Sequence, residues 1–137
     1  MVGVIVPDSS AWIEFFRRTE SPVNLTMRQL INDGAELATS EIVLMEVLAG
    51  ARSDRHRDEL RERLMRYPLL TLRPLDGYEA AAELYRMCRR GGETIRKMTD
   101  CLVAVPAIEA GASVLHNDSD FDALARHTSL RVEPVNV

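Results

Sequence analysis

The chain is expected to fold as an α/β domain, with a mostly parallel sheet covered by helices on both faces. Short apolar runs alternate with helical stretches throughout, the pattern of strand–helix–strand units. A length of 137 residues suits one domain spanning 1–137, and a hydrophobic fraction of 46% suffices for a core. Acidic residues recur where such a chain would bring strand ends to one rim.

Taken in order, Val2 to Val6 reads as a buried strand. Ser9 or Ser10 can cap the next helix, whose apolar face is Trp12, Ile13, Phe15 and Phe16. Glu20-Ser21-Pro22 interrupts, and Val23 to Asn32 makes a second helix ending near Gly34. Glu36 to Thr39 gives a second strand. Ser40 caps a helix carrying Ile42, Val43, Met45, Glu46 and Ala49, which stops near Gly50. Ser53 to Arg66 is a charged amphipathic helix ended by Tyr67-Pro68, and Leu69 to Leu72 is a third strand. Asp76 caps a long helix from Tyr78 to about Arg90, terminated by Gly91-Gly92. A loop over 93–98 leads to a helix begun by Thr99 or Asp100 and running to Glu109. Ser113 to His116 is a fourth strand and Ser119 to Arg126 a short helix. Leu130 to Val135 is a last, edge strand, where Pro134 is tolerated.

Composition narrows the function classes. No apolar run reaches the roughly 20 residues of a membrane-spanning helix. The N-terminus has no basic stretch ahead of its apolar run, so a cytoplasmic location is expected. Cys88 and Cys101 lack partners at metal-ligand spacing and read as buried thiols. A net charge of −4 argues against a general nucleic-acid binder. The arginines are nonetheless clustered. Those from Arg52 to Arg66 fall in one helical stretch, and for Arg61 to Arg66, with Asp58, Glu59 and Glu62 interleaved, a solvated face is the preferred reading. Arg89, Arg90, Arg96 and Lys97 lie shortly before Asp100 and are candidates for phosphate contacts, with a solvated face as the alternative.

The chemistry rests on Asp8, Glu46, Asp100 and Asp118. Asp8 follows the first strand, Asp100 opens an apolar helix and Asp118 follows the fourth strand. Ligands of open parallel sheets bind beyond the carboxyl ends of the strands. Carboxylates gathered there repel one another unless a cation joins them, and an oxygen-only site suits Mg²⁺ or Mn²⁺. Such a site supports phosphodiester cleavage. Asp8 and Asp100 are the best direct ligands. Glu46 either ligates or holds a metal-bound water, and Asp118 completes the cage or binds through water. Each aspartate taken alone is equally well read as a helix cap. Glu46 is different, because it lies among Val43, Leu44, Met45, Val47 and Leu48, where a carboxylate is costly without a partner. A phosphoryl-accepting receiver or a haloacid-dehalogenase-like phosphatase would need a lysine near a later strand end, and Lys97 is the only lysine.

Four segments in register resemble the PIN-domain ribonucleases, in particular the VapC toxins of bacterial toxin–antitoxin pairs. They are Val6-Pro7-Asp8-Ser9-Ser10-Ala11-Trp12, Glu46-Val47-Leu48-Ala49-Gly50, Ile95 to Ala104 around Asp100, and Leu115-His116-Asn117-Asp118-Ser119-Asp120-Phe121. The resemblance implies a three-layer α/β/α sandwich and Mg²⁺- or Mn²⁺-dependent endoribonuclease activity. It also implies a toxin homodimer inhibited by a cognate VapB-type antitoxin. Asp8, Glu46, Asp100 and Asp118 would be the acidic quartet that holds metal and serves catalysis, with Asp120 an alternative in the fourth place. A catalytically weak PIN-like module that binds RNA or antitoxin is the competing reading. Pro106 departs from the pattern and is expected to kink the helix behind Asp100.

Overall fold

The computed structural model describes residues 3–135. The elements are β1 (Ile5–Pro7), α1 (Ser9–Arg17), α2 (Pro22–Asn32), β2 (Thr39–Ser40), α3 (Glu41–Ala49), α4 (Asp54–Leu64), β3 (Leu69–Leu70), α5 (Asp76–Arg90), α6 (Met98–Glu109), β4 (Ser113–Leu115), α7 (Ser119–His127) and β5 (Arg131–Val132). Every expected element is present, but the strands are shorter than their apolar runs. The first strand begins at Ile5, and Val2, its expected start, lies outside the described residues.

All strand pairings are parallel. β1 pairs β4, β4 pairs β5, and β2 pairs β3. A parallel bridge from Ile5 to Leu37 joins the two sets, giving the order β3-β2-β1-β4-β5. From β1 the chain steps one way to β2 and β3, then crosses back to β4 and β5. Parallel crossovers are right-handed, so this reversal puts α1 to α4 on one face and α5 to α7 on the other. That is the three-layer sandwich. The reversal also creates a crevice beyond the carboxyl ends of β1 and β4, where open α/β sheets bind ligands.

The caps resolve alternatives that the sequence left open. Asp8, not Ser9 or Ser10, caps α1, its carboxylate accepting from the Ser10 amide. Asp118 caps α7 by accepting from the Asp120 amide, whereas Asp120 and Asp122 lie in the first turn. Asp76 is the first residue of α5. The residue before it, Leu75, adopts φ +56° and makes no side-chain cap bond. α6 starts at Met98, one residue earlier than expected, and continues unbroken through the buried Pro106. Ser21, Ser40 and Ser53 cap α2, α3 and α4.

The core is contiguous and includes Ile5, Val6, Trp12, Met27, Val43, Leu64, Val103, Val114, Leu115, Phe121 and Leu124. Cys88 and Cys101 are buried and free. No helix among the described residues is long and apolar enough to cross a membrane.

One tight contact fastens the end of α5 to α7. Glu93 meets His127 Nε2 at 2.8 Å and the Arg126 guanidinium at 2.6 Å, which parks the imidazole against Gly91. A Cβ on Gly91 would lie 2.3 Å from His127 Nδ1. Gly91→Ala is therefore expected to destabilise the protein by about 1–3 kcal/mol through overpacking. The gain from a stiffer unfolded chain, about 0.4–1 kcal/mol, is smaller. Denaturant melts would show the loss, and His127→Ala in the same chain should recover most of it.

Candidate metal centre

The crevice at the β1–β4 junction collects the acidic residues. Asp8 leaves β1 and is 1% exposed. Its backbone amide donates to Leu115 O at 2.8 Å, so its position is set by the neighbouring strand. Ser10 Oγ donates to Asp8 Oδ2 at 2.9 Å and accepts from the Asn117 amide at 2.9 Å. This single hydroxyl ties the loop after β1 to the loop after β4. Glu46, half-buried on α3, accepts from Ser9 Oγ at 3.1 Å.

Asp100 sits in the first turn of α6 and is 1% exposed. Asp118 and Asp120 come from the β4–α7 junction. One oxygen from each of Asp100, Asp118 and Asp120 lies within 4.8 Å of the others. The structure thus brings Asp118 and Asp120 together beside Asp100 rather than choosing between them. Asp8 and Glu46 are not part of that tight triad, although the Asp8 charge acts on both Glu46 and Asp100.

Among the described residues, Asp100 Oδ1, Asp100 Oδ2 and Asp8 Oδ1 are buried without a hydrogen-bond partner. Buried carboxylate oxygens without donors are costly. Burial, then the charges of Asp8 and Asp118, push the Asp100 carboxyl up to about 8. Burial raises Asp8, and burial together with the Asp8 charge raises Glu46. Asp118 is the exception. Burial opposes its charge, but the Lys97 hydrogen bond, the Asp120 amide and the Lys97 and Arg96 charges outweigh burial and hold it below the usual range. Orphaned buried oxygens, hard donors only and mutual repulsion together fit a divalent cation.

Arg96 and Lys97, candidates for phosphate contacts from the sequence, are paired with the acidic cluster itself. Lys97 Nζ contacts Asp118 Oδ2 at 2.5 Å. The Arg96 guanidinium lies 3.6 Å from Asp118 and 3.5 Å from Asp120 and donates to Ser119 Oγ. The Asp120 carboxylate also accepts the backbone amides of both residues, at 3.2 and 3.0 Å. Nothing in the sequence signalled this clamp beyond the proximity of Lys97 to Asp100. His116 is structural: its Nδ1 accepts from the Asp118 amide, its Nε2 faces Asp122 at 3.3 Å, and its ring packs on Phe121.

Of the depressions that border the centre, two carry arginine or lysine side chains. One, about 490 Å³, is lined by Arg96, Lys97, Asn117, Asp118 and Ser119. The other, about 750 Å³, runs from Glu46 between α1, α3 and α4, with Ile13, Phe16 and Leu60 as its apolar lining. Arg17, Arg52 and Arg63 line it too, and none of them is paired with a carboxylate among the described residues. On the outer side of α4, by contrast, Arg55, Arg57 and Arg66 pair with Glu59, Asp54, Asp58 and Glu62, as expected of a solvated face. Arg63 instead lies over the rings of Phe15 and Phe16.

Residues 5–127 match the PIN domain. The chain is 40% identical over 129 residues to VapC ribonuclease Mb1587 of Mycobacterium bovis, covering 93% of this chain and 96% of that protein. Ribonuclease VapC11 of Mycobacterium tuberculosis is 40% identical over the same coverage. Similar folds occur in VapBC2 from Rickettsia felis bound to a promoter DNA fragment (TM-score 0.74, 17% identity, covering 98% of this chain and 100% of that one). VapBC-5 from Mycobacterium tuberculosis is similar as well (TM-score 0.68, 22% identity, covering 96% and 98%).

Proposed function

This chain belongs to the PIN-domain family, alongside VapC ribonucleases, and we propose that it is a metal-dependent endoribonuclease and the toxin of a VapBC-type toxin–antitoxin pair. Asp8, Glu46, Asp100 and Asp118 are assigned as the metal-holding and catalytic carboxylates, with Asp120 beside them. The observation that carries this reading is Asp100, buried with both oxygens unpartnered against two further carboxylates. Mg²⁺ is the assigned ion and Mn²⁺ its substitute, since both favour oxygen ligands. When bound, the ion supplies Lewis acidity for phosphodiester hydrolysis.

The chain's own groups hold this centre in shape. Ser9 orients Glu46, and Ser10 fixes Asp8 against the loop after β4. Asp120 clamps the backbone at 96–97. In the groove, Arg17, Arg52 and Arg63 can take phosphates leading to Glu46, contacts that position RNA without reading its sequence. A VapB-type antitoxin arm laid on the same apolar and basic groove would inhibit by occlusion. The toxin is read as a homodimer within that complex, acting in the cytoplasm.

Purified protein should cleave RNA in Mg²⁺ or Mn²⁺ and stop in excess EDTA. Asp8→Asn should fold and fail to cleave. Full activity in EDTA would overturn the metal assignment. Co-expression with the cognate antitoxin should give a stable complex without ribonuclease activity, and a complex that cleaves as fast as free toxin would contradict occlusion.

A further inference from the structure

We propose that Lys97 is an internal counter-cation of the acidic centre, which competes with the divalent ion for Asp118 and so sets the ion concentration at which the centre loads. The inference rests on the metal reading above and goes beyond it, because it assigns a role to a residue outside the carboxylate set.

Three observations carry it. Lys97 Nζ lies on Asp118 Oδ2 at 2.5 Å, and Asp118 supplies one corner of the three-carboxylate cluster. The residue is held there by design of the backbone: Asp120, 4% exposed, accepts the Arg96 and Lys97 amides, so the lysine stem starts from a fixed point beside the cluster. The Lys97 side chain is 51% exposed, so it reaches the cluster from solvent and can leave without opening the core. Its charge is also felt at Asp8, Glu46, Asp100 and Asp118 alike.

A cation fixed at Asp118 opposes a divalent ion in two ways. It occupies a carboxylate oxygen that the ion needs, and it repels the ion's charge. An ion that takes Asp118 therefore displaces the ammonium into water, and the cost of that displacement is charged against ion affinity. Arg96, at 3.6 Å from Asp118, is too far for a direct hydrogen bond and is held by Ser119, so it does not substitute for the lysine.

The test is calorimetric titration of the purified toxin with Mn²⁺ alone, in alkaline buffer so that protons do not compete. Lys97→Met and Lys97→Gln should each bind Mn²⁺ about tenfold more tightly than wild type, the size expected for a unit charge a few ångströms from the ion in a wet site. Lys97→Arg should stay within about threefold of wild type. In EDTA the Met and Gln variants should melt at a lower temperature than wild type, and saturating Mn²⁺ should erase that difference. In an Asp118→Asn background, Lys97→Gln should lose most of its effect on Mn²⁺ affinity. Unchanged or weaker binding by both neutral variants, with wild type binding normally, overturns the role of Lys97. Absence of Mn²⁺ binding by wild type would instead overturn the metal reading itself.

Discussion

Asp100→Asn should abolish RNA cleavage while making the stability of the metal-free protein less sensitive to rising pH. The loss of activity is expected to exceed ~100-fold, since removing even an outer-shell partner of a metal ligand costs 10–100-fold. The stability effect follows from burial. Asp100 has no donor on either oxygen, and its carboxyl is raised from 3.8 to about 8. The folded chain therefore keeps a proton that the unfolded chain releases. Stability from this group is fully present below pH ~4 and is lost as pH rises towards ~8. At 1.36 kcal/mol per pH unit, the upper limit is on the order of 5 kcal/mol. Asp8 and Glu46, also raised, add slope of the same sign, whereas Asp118, held low, acts with opposite sign only in more acidic solution, below the ordinary carboxylate range. Denaturant melts in EDTA across this range should show a falling curve for wild type and a much flatter one for Asp100→Asn. Equal slopes would mean that Asp100 is not the dominant buried charge.

Trp12→Ala should cost about 3–5 kcal/mol, a large part of the roughly 5–15 kcal/mol that holds a domain of this size. Trp12 is 2% exposed and stacks on Phe16 at 5.7 Å, with Phe15 and Tyr67 at 5.9 and 5.8 Å. It anchors α1 four residues beyond Asp8, so its loss should also loosen the Asp8 loop. Circular dichroism melts of wild type, Trp12→Phe and Trp12→Ala should rank in that order. A Trp12→Ala protein as stable as wild type would contradict the packing described.

The order of elements was legible because apolar runs and cap residues alternate strongly along the chain. The gathering of acidic residues at one rim was legible because strand ends and helix starts converge there in a parallel sheet, whereas the tight grouping of Asp100 with both Asp118 and Asp120 was not. Cap identity at Asp8 was harder to read. Three polar residues stand together there, and only the β1–β4 pairing decides which of them turns inward. Capping does not remove Asp8 and Asp118 from the crevice: in each, one oxygen bonds an amide while the residue borders it. The partners of Lys97 were not legible, because its bonds to Asp118 and Asp120 cross more than twenty residues and depend on where the α7 turn lies. The brevity of the strands also escaped the sequence reading. Apolar content signals burial, whereas strand length is set by how far parallel pairing extends.

The hydroxyl of Ser10 closes a contact with the amide of Asn117, 107 residues later, and Asp8 hangs its amide on Leu115. A ribosome makes the chain from its N-terminus at about 5–20 residues per second. Throughout most of that synthesis Asp8 and Glu46 exist without β4, Asp118 or Asp120. A half-made chain thus has no assembled centre, and a chain ending before Leu115 lacks both the strand that positions Asp8 and the turn that carries Asp118 and Asp120. Assembly of the acidic crevice is therefore a late event in the making of the chain, waiting on the last strands to join the first.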